Sequence, residues 1–362
     1  MSSHPHTVDT DQSISMPPGP VEGPFAWRGP EMAARTDWIH TLTDGEIGEI
    51  EAALGIARKS GRSMAELRTE DFPLPGLAAR LRGLRDDLLE GPGFALLRGL
   101  PANRYGIEDV ATIYLGIGRH MGSTRSQNGE GHLLGHVCDL GHSQENPTQR
   151  GYRAPGPLNF HTDSVDIVGL MCWRPARHGG ESRIASSATV YNEILQRRPD
   201  LIPALFSPVY RDRRGEIPAG KPPWWVMPVF QWHEGRLFSH YSNTYIRSAQ
   251  RFEGAPRLTD AQSEMLDLVP AIAAEPSVYL EMALRQGDIQ FVNNHRILHS
   301  RTAYEDWDED ARRRYLLRLW ICPPNGPPIP PAYADRYGGI KVGDRGGIVV
   351  PGMQPVVSLE PI

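Results

Sequence analysis

The chain has 362 residues, of which 40% are hydrophobic and 22% are charged, the balance of an ordinary globular protein with room for one or two domains. Its net charge is −5 and no block of basic residues occurs, so neither feature predicts a nucleic-acid partner. No apolar run approaches the roughly 18 residues of a membrane-spanning helix, and the N-terminus lacks the basic start and apolar core of a signal peptide.

The first third of the chain is predicted to be an arm followed by helices. Residues 1–35 are polar and rich in proline, serine and glycine, which predicts a flexible N-terminal arm whose end is anchored by Trp27. The elements expected next are a helix capped by Thr43, a helix over 77–89, a buried strand over 94–100 and a helix through 110–117.

Short strand-like runs separated by turn residues dominate the rest of the chain. They lie at 157–162, 166–173, 183–186, 226–232, 236–241, 277–283, 288–293 and 314–322. One clear helix interrupts them, capped by Ser186 or Ser187 and ending before Pro199. This pattern favours a mainly β fold with flanking helices: a double-stranded β-helix, or jelly roll, with N-terminal helices and a helical insertion.

The expected domain organisation is simple. Residues 36–325 should form a single jelly-roll domain with a helical N-terminal part. Six of the nine residues 323–331 are prolines, so residues 326–362, which are rich in proline and glycine, should form an extended tail on the surface.

The three cysteines, Cys138, Cys172 and Cys322, form no CxxC pair. This spacing argues against a disulfide framework and against a thiolate zinc site, and it is typical of a reducing compartment. We therefore expect a soluble, cytoplasmic protein without a membrane partner. The oligomeric state stays open, a homo-oligomer included.

Two sequence words suggest a metal site: Asn-Phe-His-Thr-Asp at 159–163 and a stretch with two histidines at 287–299. Side chains alternate along a strand, so His161 and Asp163 point to the same face. With one distant histidine, His295 or His299, they would form a facial triad that leaves positions open for O₂ activation at Fe(II). The His-x-Asp word alone is weak, because it is common by chance.

The words FHTDSVDIVGLMC, HGGESRIASS, GDIQFVNNHRILHSRTAYEDW and RRRYLLRLWI occur in this order between residues 94 and 322. The stretch resembles the taurine dioxygenase and clavaminate synthase-like family of Fe(II)/2-oxoglutarate-dependent oxygenases. The resemblance implies the same jelly roll, with Fe(II) as cofactor and 2-oxoglutarate and O₂ as cosubstrates. It also implies that a small organic substrate is hydroxylated, or desaturated or cyclised, with release of succinate and CO₂.

The resemblance also implies roles for individual residues. The iron ligands would be His161, Asp163 and His299, because the family's distal word, Asp/Asn-Asn followed by four residues and His, fits His299 better than His295. Arg314 would pair with the C5 carboxylate of 2-oxoglutarate, and Ser182 would donate its hydroxyl to the same group. A bidentate guanidinium is physically suited to a buried carboxylate, although the adjacent Arg312 and Arg313 leave the register open.

Substrate-binding residues are harder to predict. Gln127 and Asn128 lie where relatives place polar substrate contacts, although Asn-Gly is equally a plain turn. Arg318, four residues after Arg314, should meet either a substrate anion or a protein carboxylate, for which Asp288 and Glu181 are better candidates than an iron-binding Asp163. Of these two partners we favour the substrate anion, and we therefore expect a small-molecule substrate that is anionic or zwitterionic.

Weaker features have structural explanations. The aromatic residues Trp224, Trp225, Phe230 and Trp232 are typical of core packing more than of a lid over the iron. The histidines His132, His136, His142 and His178 match no metal-ligand spacing. Two other functions remain for this fold: a cupin-like zinc or manganese hydrolase or isomerase, which would not need Ser182 and Arg314, and a non-catalytic small-molecule sensor, which would be expected to have lost a ligand.

Overall fold

The computed structural model describes residues 15–141, 154–350 and 352–361. In chain order, the strands are β1 Ile39–Thr41, β2 Phe94–Arg98, β3 Ser123–Thr124, β4 Leu134–Val137, β5 Leu158–His161, β6 Ile167–Arg174, β7 His178–Gly179, β8 Ser182–Ser186, β9 Pro208–Asp212, β10 Trp224–Pro228, β11 Phe230–His233, β12 Arg236–Ser239, β13 Leu280–Met282, β14 Ile289–Asn293, β15 Ile297–Arg301, β16 Tyr304–Glu305 and β17 Tyr315–Cys322. The helices are α1 Gly29–Ala33, α2 Asp44–Lys59, α3 Leu77–Glu90, α4 Ile107–Met121, α5 Ser187–Arg197, α6 Ile202–Phe206, α7 Asn243–Ala249, α8 Asp260–Ala273 and α9 Ala334–Tyr337.

Two sheets form the centre of the fold. The larger runs β1-β2-β14-β6-β17-β3, with β4 also paired to β17, and the smaller runs β13-β8-β15-β5. Side chains from both sheets, among them Phe94, Val168 and Val292 of the larger and Ile184 and Ile297 of the smaller, share one buried cluster. The sheets therefore face each other, and the fold is the expected double-stranded β-helix with flanking helices.

The alternation of side chains on the larger sheet separates the core from the cavity. On β17, Leu317, Leu319 and Ile321 pack with α2, α3 and α4 in the main hydrophobic cluster. The alternate residues, including Arg318 and Trp320, therefore face the inside of the barrel. Helix α4 lies close to strand β6 in this region. A Cβ added at Gly169 on β6 would be only 2.5 Å from the hydroxyl of Tyr114 on α4, so the packing leaves no room for a side chain at this position.

The residues between β8 and β13 form the helical insertion. Its helices α5, α6 and α8 enclose a second buried cluster over the smaller sheet. The Ser186 cap is confirmed, since its side chain accepts a hydrogen bond from the N–H of Thr189. The prediction of a single helix was wrong, because α6, α7 and α8 lie in the same stretch, and the run 226–232 forms two strands, β10 and β11, instead of one.

The C-terminal segment differs from the extended surface tail that its prolines predicted. It contains the short helix α9, and Tyr333 and Tyr337 are 0% and 1% exposed. Arg345 reaches the buried Asp166, with a distance of 2.6 Å between its Nη2 and the carboxylate. Aromatic and ionic contacts of this kind hold the segment against the barrel, which proline content alone does not reveal.

At the N-terminus, Trp27 is buried against Phe94, with ring centroids 5.1 Å apart, and α1 follows it directly. The part of the expected arm before residue 15 lies outside the described residues. Within the described part of the chain, no helix combines the length and apolar character needed to cross a lipid bilayer.

Candidate functional site

Strands β5 and β15 bring the predicted iron ligands together. His161 ends β5 and stands opposite His299 in the antiparallel pairing with β15, and Asp163 follows two residues later. One potential ligand atom from each of the three side chains lies within 4.8 Å of the others. Two imidazoles and one carboxylate at this spacing suit a divalent metal of the iron type, with positions left for other ligands.

The side chain of Asn294 fixes the backbone that carries the carboxylate. It is fully buried, its Oδ1 accepts from the N–H of Asp163 at 2.8 Å, and its Nδ2 donates to the carbonyls of Asp163 and Val165 at 2.7 and 2.9 Å. In the sequence, this asparagine is recognisable only as part of the distal motif. Its physical role is to clamp the turn after β5.

The Asp163 carboxylate is held ionised by two donors. Trp320 Nε1 lies 3.0 Å and Arg318 Nη1 3.2 Å from Oδ2. Burial alone would raise the pKa of Asp163, but Arg318 and the two neighbouring imidazoles outweigh it and lower the pKa to about 2. The expectation that Arg318 would avoid Asp163 was wrong, because a carboxylate has lone pairs enough for a metal and for two donors.

The carboxylates preferred for Arg318 are engaged elsewhere. Asp288 accepts from Arg98 at 2.8 Å, and Glu181 accepts from the hydroxyl of Thr302. Arg318 instead uses its Nε to donate to Gln127 Oε1 at 2.8 Å.

Both histidines of the cluster present a ring nitrogen to the site. His161 Nδ1 donates to the carbonyl of Asn159 at 2.8 Å, which turns Nε2 toward the site. Burial, followed by the neighbouring His161, lowers the pKa of His299 to about 3. His295 points elsewhere, with its Nε2 3.1 Å from Asp166 Oδ1, so it belongs to the buried network that also holds Arg345.

The three side chains open into a cavity of about 740 Å³. Arg314 and Ser182 line it as well, and Arg314 is 4% exposed with its guanidinium 4.7 Å from the ring centre of Tyr304. Burial lowers the pKa of Arg314, and its Nη1 has no hydrogen-bond partner among the described residues. Such a buried donor suits an incoming carboxylate. Arg312 and Arg313 are exposed, so they do not compete for this position.

The two candidate substrate residues on the 126–131 segment lie outside the cavity wall. Gln127 is buried, and its Nε2 donates to the carbonyls of Leu133 and Arg318. Asn128 makes a turn, with its Oδ1 accepting from the N–H of His132 at 3.2 Å. Among the described residues that line the cavity, neither is present. Asn128 therefore fits the plain-turn interpretation, and Gln127 accepts a hydrogen bond from the side chain of Arg318.

Sequence reasoning missed the wall formed by Trp225, Tyr245, Arg214 and Arg336. The aromatic cluster that contains Trp225 was interpreted as core packing more than as a lid, and no signal in the proline-rich tail indicated that Arg336 would reach the barrel. In total the described lining contains seven arginines and one carboxylate, Asp163. The arginines are Arg214, Arg247, Arg251, Arg301, Arg314, Arg318 and Arg336.

The remaining histidines form no second metal site in the described residues, where the only such cluster is the one at His161. His136 has structural partners, the hydroxyl of Tyr315 at 2.7 Å and the carbonyl of Ser358 at 2.9 Å. His142 lies outside the described residues.

Comparison with known proteins identifies the family. The model of the taurine catabolism dioxygenase TauD, TfdA family matches residues 59–320. FR-33289 synthase of Streptomyces rubellomurinus is 31% identical over 329 residues, covering 89% of this chain and 96% of that protein. The taurine hydroxylase-like protein SAT17 of Stachybotrys chartarum is 32% identical over 327 residues, covering 84% and 83%.

Solved structures support the same fold. Asparagine oxygenase in complex with Fe(II), 2S,3S-3-hydroxyasparagine and succinate superposes with a TM-score of 0.62 at 20% identity, covering 78% of this chain and 93% of that chain. None of these matches favours a hydrolase, an isomerase or a sensor. The chain belongs to the taurine catabolism dioxygenase TauD, TfdA family, and it is a non-haem oxygenase that uses Fe(II) and 2-oxoglutarate to oxidise a small molecule.

Proposed function

We propose that His161, Asp163 and His299 bind the Fe(II) and that Arg314 and Ser182 bind the C5 carboxylate of 2-oxoglutarate. The observation that carries this proposal is the cluster of three ligand atoms within 4.8 Å in the same cavity as a buried Arg314 whose Nη1 has no partner among the described residues. Ser182 now donates to Gln290 Oε1 at 2.9 Å, and its hydroxyl can turn to a bound carboxylate.

When bound, iron and 2-oxoglutarate supply an oxidant made from O₂, with succinate and CO₂ as coproducts. The protein's own residues supply geometry and electrostatics. Trp320 and Arg318 keep Asp163 ionised, and burial keeps His299 neutral. Apolar side chains such as Val168 and Leu316 complete the wall and limit access of water.

The substrate we propose is small and anionic or zwitterionic. Seven arginines and one carboxylate line the described cavity. Arg247, Arg251 and Arg318 are paired with carboxylates, and the remaining excess of positive charge concentrates anions and orients them on entry. Because the related asparagine oxygenase contains a hydroxylated amino acid, hydroxylation is the reaction we favour over desaturation or ring closure.

We further propose a single catalytic domain over 36–325 that is completed by the C-terminal segment. Its three cysteines are free and buried, which suits a reducing, cytoplasmic compartment.

The decisive experiment is an anaerobic titration with Fe(II) and 2-oxoglutarate. A weak visible charge-transfer band is expected when both are present, and admission of O₂ should then release succinate. Replacement of Fe(II) by Zn(II) is the control and should give neither signal. If His161→Ala or His299→Ala gave the same band as the wild type, the assignment of the iron ligands would be wrong.

A further inference from the structure

The C-terminal segment contributes one cation to the cavity. Arg336, on α9, lies beyond residues 59–320 that match the family, yet it lines the same cavity as the proposed iron ligands. It is 7% exposed, its Nε donates to Ser164 Oγ at 3.0 Å, and its Cζ is 4.5 Å from the ring centre of Trp225. Since Ser164 follows Asp163 in the chain, this guanidinium belongs to the wall beside the metal cluster.

The contacts of α9 hold Arg336 in place. The preceding residue, Asp335, pairs with Arg213 at 2.6 Å and with Lys221 at 3.0 Å, which ties α9 to the loop after β9. Tyr333 and Tyr337 on either side are fully buried. A side chain supported in this way keeps its geometry before a ligand arrives, as a binding residue should.

A second guanidinium and an indole ring line the same cavity. Arg214 lies with its Cζ 4.5 Å from the ring centre of Tyr245, and the rings of Tyr245 and Trp225 are 6.0 Å apart. Trp225 Nε1 is buried without a hydrogen-bond acceptor among the described residues. Buried donors of this kind usually have a partner, and an oxyanion in the cavity would provide one.

The other five arginines that line the described cavity contact different groups. Arg318 serves Asp163, and Arg247 and Arg251 pair with Asp267 at 2.6 Å and with Asp212 at 2.9 Å. Burial, followed by the nearby Arg314, lowers the pKa of Arg301 to about 10, and these two arginines mark the end proposed for 2-oxoglutarate. Arg214 and Arg336 instead lie beside the neighbouring rings of Tyr245 and Trp225, and this position is the one considered for a second anion.

We infer that Arg336, Arg214 and the Trp225 indole form a subsite for an anionic group of the substrate, and that this group has three terminal oxygens, as a phosphoryl group does. Three donors on different side chains match three oxygens better than they match a planar carboxylate, which a single guanidinium fork already satisfies. The inference rests on the proposed function, because it assigns the substrate class of the same site. The anion would anchor the substrate beside Ser164, next to the residues proposed to hold the iron.

Inorganic phosphate is the probe for this subsite. It is titrated calorimetrically, at constant ionic strength, into the anaerobic complex with Fe(II) and saturating 2-oxoglutarate, so that the metal and the Arg314 end are already filled. We expect Arg336→Gln and Arg214→Gln each to weaken phosphate binding at least about tenfold, the loss of one charge-assisted contact. Acetate should bind more weakly than phosphate.

Arg247→Gln is the matched control, since Arg247 lines the same cavity but pairs with Asp267, and its phosphate affinity should stay within about twofold of the wild type. Equal phosphate affinity in the wild type and both test variants would overturn the inference. It would also be overturned if acetate bound as tightly as phosphate, or if phosphate abolished the charge-transfer band. If Arg336→Gln does not fold, the Arg214→Gln variant, at a half-buried position, tests the inference by itself.

The two proposals fail separately. Absence of the charge-transfer band would contradict the proposed function. On metal-free protein, the difference in phosphate affinity between the wild type and the Arg336→Gln and Arg214→Gln variants would still report on these two arginines.

Discussion

Replacement of Arg314 by alanine tests the site of 2-oxoglutarate most directly. Arg314 is 4% exposed and its Nη1 has no partner among the described residues, so a bound carboxylate would be desolvated and would depend on it. Removing one partner of such a buried pair costs about 2–5 kcal/mol. We expect about 2–4 kcal/mol, because Ser182 and Arg301 remain near the carboxylate.

Since 1.4 kcal/mol corresponds to a factor of ten, the Kd of 2-oxoglutarate should rise about 30- to 1,000-fold in Arg314→Ala. The measurement is an anaerobic titration of the Fe(II) protein, followed by its charge-transfer band. Arg313→Ala is the matched control, because the neighbouring Arg313 is exposed and its ion pair is with Asp310 on the surface. If Arg314→Ala bound 2-oxoglutarate as tightly as the wild type, the reasoning would be refuted.

The remaining predictions concern single contacts. Ser182→Ala should weaken 2-oxoglutarate binding by about 1 kcal/mol, the value of one hydrogen bond, in the same titration. His295→Ala should lower the melting temperature, because Asp166 loses a buried partner, but the folded protein should still bind iron; loss of iron binding would favour His295 as a ligand. Burial lowers the pKa of His136 below its usual 6.5. As the pH drops below about 6.5, the unfolded chain therefore binds a proton at His136 before the folded protein does, and the free energy of unfolding should fall. Urea unfolding of His136→Gln should show a smaller decrease of this free energy over the same pH range. Arg318→Met should weaken iron binding.

The local part of the site followed from the sequence. The spacing of His161 and Asp163 predicted that both would reach one site, although β5 ends at His161 and Asp163 lies in the turn after it. The spacing of Asn294 and His299 selected the distal histidine that the structure brings to them. These relations join residues that are close in the chain, so a short motif is enough to indicate them. The capping box that begins α8, in which Thr259 and Gln262 exchange hydrogen bonds, was an available signal that the sequence analysis passed over.

Contacts between distant segments could not be predicted in the same way. Nothing near Arg336 in the chain indicates that α9 docks beside Trp225, because the contact depends on buried tyrosines and on an ion pair between Asp335 and Arg213. Proline content predicted an extended backbone, and it does not predict what an extended segment packs against.

Arg318 is the residue whose role the structure changes most. The sequence suggested a substrate contact, whereas Arg318 and Trp320 both donate to Asp163 Oδ2, at 3.2 and 3.0 Å, and Gln127 Oε1 holds the Nε of Arg318 at 2.8 Å. We therefore propose that Arg318 is a positioning residue for a proposed iron ligand. Loss of such a partner costs about 10–100-fold in metal affinity.

Arg318→Met keeps the length of the side chain and removes its charge, so the carboxylate of Asp163 keeps only the indole as a donor. We expect the Kd of Fe(II), measured by anaerobic titration, to rise about 10- to 100-fold, and we expect Gln127→Leu, which removes only the support for Arg318, to have a smaller effect in the same direction. Arg318→Lys should recover part of the loss, because an ammonium group can still donate to Oδ2. A variant with unchanged iron affinity but a raised KM for substrate would contradict this assignment. It would mean that Arg318 leaves Asp163 when the substrate binds, and that the substrate contact expected from the sequence is made in the complex.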